Sequence, residues 1–217
     1  MSDIFREVDE EIRRDQLHKL WQRYGVFFIA ACFLLVAGVG GWRAYEWWEA
    51  KKAAEASTAF EAAAALVEQG KHKEAEEAFA KIGADSTASY RMLARFREAA
   101  ELSRRDPKAA VAIYDQIATD GSVGPVLQDL AVLRAGTILV DTAPYDEVRQ
   151  RLEPLTAADR TFRHSARLML ALAAWRAKDT TAMRRWSDMV LADAETPTGA
   201  RGQIQMLLAL SESDKKS

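Results

Sequence analysis

Hydrophobic and polar positions along the chain fall into two regimes. From Gly25 to Trp42 the sequence reads GVFFIAACFLLVAGVGGW, with no Asp, Glu, Lys or Arg. As an α-helix this run covers roughly 27 Å, close to the hydrocarbon thickness of a bilayer. Trp21 and Tyr24 precede it, and Trp42, Tyr45, Trp47 and Trp48 follow. Amphipathic rings collect at membrane–water boundaries, so the pattern predicts one transmembrane helix over residues 25–45. Ahead of it, Ile4, Phe5, Val8 and Ile12 form an apolar stripe that Leu17, Leu20, Trp21 and Tyr24 extend, opposite a charged face. That predicts an amphipathic helix within residues 1–24.

After the apolar run the period is helical throughout and strand alternation is missing. No breaker separates Trp48 from Gly70, and residues 50–66 are rich in Ala, Glu and Lys, which are strong helix formers. The membrane helix is therefore expected to continue into the first helix of a second domain, residues 46–213. Gly70, Ser86, Asp106-Pro107, the loop Asp120-Gly121-Ser122-Val123-Gly124-Pro125, Ala143-Pro144, Asp159 and Thr196-Pro197 mark the joints. A last amphipathic helix runs from about residue 198 to 210, and residues 214–217 form a polar, disordered tail. The fold class is all-α.

These helices pair, and the second member of each pair repeats. The segments KHKEAEEAFAKI, PKAAVAIYDQI, YDEVRQRLEPL and TTAMRRWSDMV each carry a small or β-branched residue followed four positions later by a large one. The pairs are Ala75/Phe79, Ala110/Tyr114, Val148/Leu152 and Ala182/Trp186, followed by Ile82, Ile117, Leu155 and Met189, with successive offsets of 35, 38 and 34 residues. A small residue lets two helices of a hairpin close together, and the large one fills the gap against the next hairpin. Stacking then buries the face that each hairpin leaves uncovered.

Composition narrows the functional classes. With 217 residues and a net charge of -2 the chain has room for a membrane helix and one modest domain, and no segment has the basic excess that draws nucleic acid. The segment before the apolar run holds five basic and six acidic residues, unlike the short basic start of a cleaved signal peptide. Those five Lys/Arg against three just after the run (Arg43, Lys51, Lys52) favour a cytoplasmic N-terminus, with residues 46–213 on the far side. The single cysteine, Cys32, lies in the apolar run and leaves the redox compartment open. His18, His72 and His164 sit on separate helices, no P-loop, G-x-S-x-G or H-E-x-x-H string occurs, and no cofactor, metal or catalytic site is expected. Within the membrane helix Ala37 and Gly41 lie four apart, a spacing that lets another helix approach closely.

The small and large second-helix positions and the spacing near 34 resemble the tetratricopeptide repeat family. The first-helix Trp-Leu-Gly-Tyr pattern of that family is poor here, and its proline at the unit end is missing. The resemblance implies an α-solenoid of helical hairpins whose first helices line an inner face. Counting back from the second helices, Met92, Arg95, His164 and Arg167 are then expected to face a partner groove. Adaptable Met contacts and Arg donors suit peptide binding.

The whole chain is similar to the YfgM-like family of bacterial inner-membrane proteins, ancillary subunits of the SecYEG translocon. The likeness lies in a short N-terminal helix, one membrane helix ending in Gly41-Trp42-Arg43, an Ala-rich opening helix and a Thr196-Pro197-led final helix with GQIQMLLALS. It implies a single-pass inner-membrane protein with a periplasmic TPR-like domain. Such a protein would bind the Sec translocon and a membrane-anchored periplasmic chaperone or prolyl isomerase, and would assist exported client proteins. The rival expectation is a scaffold for another envelope complex, in cell division or cytochrome maturation. A membrane-bound hydrolase would need a converged polar cleft.

Overall fold

The computed structural model describes the backbone of residues 3–213 and the side chains of residue 21 and residues 23–212. The expected stripe at Ile4, Phe5, Val8, Ile12, Leu17 and Leu20, the side chain of His18 and the tail 214–217 lie outside these. Among the described residues the chain is all-α. Its helices are α1 (Asp3–Glu68), α2 (His72–Asp85), α3 (Ala88–Leu102), α4 (Pro107–Thr119), α5 (Pro125–Leu139) and α6 (Tyr145–Leu152) with a 3-10 turn at Glu153–Thr156. α7 (Arg163–Arg176), α8 (Thr180–Ala192) and α9 (Thr198–Ser213) complete the chain. It divides into two compact units, Met1–Ala54 and Glu55–Ser217.

In the first unit the apolar run is helical and bare. Phe27 is 74% exposed and Leu34 71%, and Val26, Phe33, Leu35, Val36 and Val39 are likewise uncovered. It is the one helix among the described residues long and apolar enough to cross a membrane. In water such a surface would be costly, whereas in lipid tails it costs nothing. Trp42, Tyr45, Trp47 and Trp48 ring the helix at its far edge, with Lys52 Nζ 3.8 Å from the centre of the Trp48 ring. The rings suit an interface, and the lysines reach on toward water. The chain thus has one N-terminal apolar helix, as a single-pass membrane protein does.

The second unit is a stack of hairpins. The end of α1 pairs with α2, α3 with α4, α5 with α6 and α7 with α8, and α9 follows as a single helix. Local chemistry sets the joints. Gly70, at φ 73°, and Lys178, at φ 59°, turn the chain out of α1 and α7 through the same pair of bonds. Lys71 N–H donates to Leu66 O at 2.9 Å and Asp179 N–H to Ala174 O at 2.9 Å. These are left-handed helix ends, cheap for Gly70 and strained for Lys178. Asp106 and Asp179 then cap α4 and α8 by accepting from Ala109 N–H and Ala182 N–H at 3.0 and 2.9 Å. Ser86 closes α2 rather than capping α3; the residue before α3 is Thr87, which makes no side-chain cap bond.

The core is divided as the stack is. One cluster joins Ala63, Ala75, Phe79, Ile82 and Ala94; a second joins Ala99, Tyr114, Ile117, Ala131 and Ala135; the third runs from Leu133 to Leu207. Each second helix is gripped between its own first helix and the next one. Phe60 and Tyr90 flank the first cluster, 5.2 Å from Phe79 and 6.1 Å from Phe60 between ring centres. Phe96 and Tyr114 meet at 5.8 Å in the second.

The fourth unit departs from the expected register by one residue. Measured from the residue before each second helix, the equivalents of Ala75, Ala110 and Val148 are not Ala182 but Met183, followed by Ser187 and Val190. Met183 and Val190 are buried, whereas Ala182 and Met189 are only half-buried. Trp186 is buried as well, one position early, and its indole N–H donates to Tyr145 OH at 2.8 Å. Ser187 stands at the usual large-residue position, buried, and donates to Met183 O at 2.8 Å. Matching by residue size therefore selected Ala182/Trp186, and the structural offsets are 35, 38 and 35.

Close approach is tightest between α5 and α6. A Cβ on Gly136 would stand 2.5 Å from Leu152 Cδ2 and 2.8 Å from Cγ, so only glycine fits against this buried leucine. Gly136→Ala is expected to destabilise the chain by about 1–3 kcal/mol through overpacking. Leu152→Ala alone is expected to cost about 2–5 kcal/mol through the cavity it opens. In the Gly136→Ala background that second cost shrinks, because the added methyl occupies vacated space. Urea unfolding of the four chains measures the coupling, and additive effects would refute the contact as the cause.

Candidate functional site

Where the second and third hairpins meet, the N-terminal turns of α4 and α6 and the end of α5 leave a cleft of about 410 Å³. Pro107, Val111, Leu139, Ala143 and Pro144 give it apolar walls, and Lys108, Thr142 and Glu147 line it as well. The two prolines stand at corresponding corners of successive units, at the first position of α4 and just before α6. Proline is favoured at the first position, as Pro107 is, because its ring presets the helical φ and its missing N–H has no helical partner in any case, whereas Pro144 is the extended residue that precedes α6. The wall is held from outside: the Arg176 guanidinium donates to the carbonyls of Asp141 (3.0 Å) and Ala143 on the α5–α6 loop. An apolar pocket with a cation and an anion near it can seat an apolar side chain of an extended segment.

The residues expected from sequence to line a groove fall into two groups. Met92 and Arg95 lie on α3, both half-buried. Arg95 donates to Gln116 Oε1 at 3.3 Å and lies 3.4 Å from Asp120 Oδ2 on the end of α4. Its stem crosses α2 where Gly83 leaves room, 3.3 Å from where a Cβ would stand. Hydrogen bonds from Ser122, reinforced by Arg95, hold the Asp120 carboxyl below its usual pKa. Arg95 thus ties three helices together.

His164 and Arg167 meet around Asp193, at the junction of α7, α8 and α9. Arg167 is buried; it donates to Thr156 O through Nε (3.1 Å) and Nη2 (2.8 Å), and to Asp193 Oδ2 at 2.9 Å. Arg163 Nε reaches the same carboxylate at 3.0 Å and also pairs with Glu195. Thr196 Oγ1 donates its only proton to Val190 O at 2.7 Å, so at 3.0 Å it accepts from His164 Nδ1–H. That fixes the tautomer when the ring is neutral. Arg201 donates to the carbonyls of Leu191 (3.0 Å), Asp193 (2.5 Å) and Thr196 (3.2 Å), closing the end of α8. Ala37 and Gly41 lie on the exposed surface of α1, and a Cβ on Gly41 would meet nothing within 4 Å.

Sequence reasoning named Pro107, Ala143 and Pro144 only as helix joints and assigned none of the cleft residues to a site. The signal that could have found them is the recurrence of Pro at the start of α4 and of α6, since loops one repeat apart stack on the same edge. Among the described residues no three His, Cys, Asp or Glu side chains converge to hold a metal ion.

The Asp193 junction gives the unit a pH dependence of defined sign. Burial, aided by the Arg163 charge, lowers the His164 pKa, and the hydrogen bond from Arg163 drives that of Asp193 far below the carboxylate range. The unfolded chain takes up the His164 proton near pH 6.5 while the folded chain still resists it, so stability falls as pH drops from about 6.5 toward the lowered value. Asp193 keeps its contribution down to about pH 4, where the unfolded carboxyl begins to protonate. Melting temperature is therefore expected to decline between about pH 7 and pH 5.5, with a shallower slope in His164→Gln. An equal slope in both chains would assign the decline to other groups.

A tetratricopeptide repeat-like domain family matches residues 18–167, from before the apolar run into α7. The ancillary SecYEG translocon subunit of Haemophilus influenzae is 27% identical over 146 residues, which cover 67% of this chain and 71% of that protein. No solved structure matches. With a family match over more than half its length and the hairpin stack that the family name describes, the chain belongs to the tetratricopeptide repeat-like domain family.

Proposed function

We propose that the protein is a membrane-anchored binding module of the Sec translocon, with its hairpin stack on the periplasmic side, where it assists the folding or trafficking of exported proteins. The observation that carries the reading is the likeness to an ancillary SecYEG translocon subunit across two thirds of the chain. The family match supports it, because it begins at residue 18 and so takes in the apolar helix together with the repeats. The charge difference across that helix supports a cytoplasmic N-terminus.

In this reading the parts divide the work without catalysis. The apolar helix keeps the module at the membrane, with Ala37 and Gly41 as the face where a neighbouring membrane helix comes close. Confinement there raises the concentration of the stack near emerging chains. The cleft at Val111 and Leu139 takes up an apolar side chain of the client for a short time, and Met92 adds adaptable contact on α3. Arg95, His164 and Arg167 act by positioning helices. A membrane-anchored periplasmic chaperone or prolyl isomerase is the partner to which a client passes.

Two measurements test this. The translocon should co-purify with the solubilised chain and should be lost when residues 25–42 are replaced by an unrelated membrane helix; undiminished recovery would remove the anchor's role in recognition. The intact chain in detergent should delay aggregation of an unfolded exported protein. Val111→Glu should weaken client binding roughly ten-fold by placing a charge among the apolar walls, with the helical signal unchanged. A chain that holds the translocon but never delays aggregation would instead be a scaffold of the complex.

A further inference from the structure

Among the described residues α9 stands in the place of a first helix with no second helix packed on it. In α3, α5 and α7 the ninth residue from the one preceding the helix is Phe96, Leu133 and Ala171, and the twelfth is Ala99, Gly136 and Ala174. Phe96 packs on Tyr114 of α4, Gly136 on Leu152 of α6, and the other four are buried. In α9 the same positions are Met206, 66% exposed, and Ala209, also exposed. Its opposite face is seated in the core through Ile204 and Leu207.

The exposed face has three further properties. It presents Gly202, Met206 and Ala209, a small residue followed at four and then three positions by apolar ones. That is the spacing of Ala75, Phe79 and Ile82 in α2 and of Ala110, Tyr114 and Ile117 in α4. A Cβ on Gly202 would meet nothing within 4 Å and its φ is ordinary, so the single chain has no need of a glycine that weakens the helix. The face also lacks charge: Arg201 is turned to the carbonyls that end α8, whereas α2, at the opposite end of the stack, exposes Lys73, Glu77 and Lys81.

We propose that two copies of the chain associate through α9, antiparallel about a two-fold axis at Met206, each α9 covering the exposed face of the other. Counting from that axis, Gly202 of one copy comes opposite Leu210 of the other, a small position against a large one, and Met206 meets its own equivalent. An isologous contact of this kind needs a self-complementary face. The charged opposite end of the stack does not match α9, so head-to-tail association is disfavoured on the same grounds. Three helical turns bury less than the roughly 1,000 Å² of a stable interface, so the pair forms where both copies are confined to one membrane.

The full chain in lipid vesicles provides the test. Met206→Cys in a Cys32→Ala background should give a covalent dimer with a short bis-maleimide, and Asp188→Cys, exposed on α8, should not. Adding Gly202→Leu should reduce the dimer about ten-fold while the melting temperature does not fall, because leucine favours the helix. Three results would each overturn the proposal: no dimer from the Met206→Cys chain, equal dimer from the Asp188→Cys chain, or a yield indifferent to Gly202→Leu. In native membranes, capture of a different polypeptide in place of a second copy would overturn it as well.

Discussion

Backbone approach between paired helices is the constraint on which the second unit depends. Ala63, Ala75, Ala94, Ala99, Ala110, Ala131 and Ala135 are all buried, and Gly136 replaces alanine where Leu152 needs the space. Small residues bring helix axes together, and the larger residues then fill the spaces left around them, within a hairpin as well as between hairpins. Phe79, Tyr114, Leu152 and Trp186 fill those gaps. Burial in this fold comes from the close approach that small residues allow and the filling that large ones supply, and neither works without the other.

The same constraint explains where open surface remains. A stack buries the faces between neighbours but not its corners or its last face. The cleft at Pro107, Val111, Leu139 and Pro144 is a corner between two units, and the Met206 face of α9 is the last face. The apolar helix of the first unit is open for a different reason: it is long and apolar enough to cross a membrane, and lipid as its solvent would satisfy Phe27 and Leu34 without a protein partner. Three uncovered apolar surfaces thus have three physical causes, and only the corner is both pocket-shaped and braced, by Arg176 at the Asp141 and Ala143 carbonyls.

Much of this was legible in the sequence because it depends on local chemistry or on period. The uncharged run, the hairpin joints at Asp106-Pro107, the loop before Pro125 and the start of α9 follow from rules that act within a few residues. The 35-residue recurrence follows from stacking. What was not legible depends on which distant group fills a given volume. In the fourth unit Met183 takes the small-residue position and Trp186 is buried one position before Ser187, and no count of residue sizes along one segment shows this. The repeat register places Arg95, His164 and Arg167 on first helices. Their neighbours Asp120, Thr196 and Asp193 come from the following joints, and those joints decide that the donors turn onto the protein's own carbonyls and carboxylates.

These long-range choices also make the stack uneven along its length. The first hairpin is held by a small cluster around Phe79 and by the pairs His72–Glu101, at 2.7 Å, and Glu76–Arg105, at 2.8 Å, both beside solvent. The last hairpin is held by the largest cluster and by Arg163, Arg167 and Arg201. The latter two spend several donors on carbonyls of the 3-10 turn and of the end of α8. A guanidinium so used bridges several segments, so one of them cannot leave without stranding buried donors. In a repeat array, where stability is a sum of unit and interface terms, the C-terminal hairpins are therefore the anchor of the fold. On the same grounds the α1–α2 hairpin is expected to open before the others.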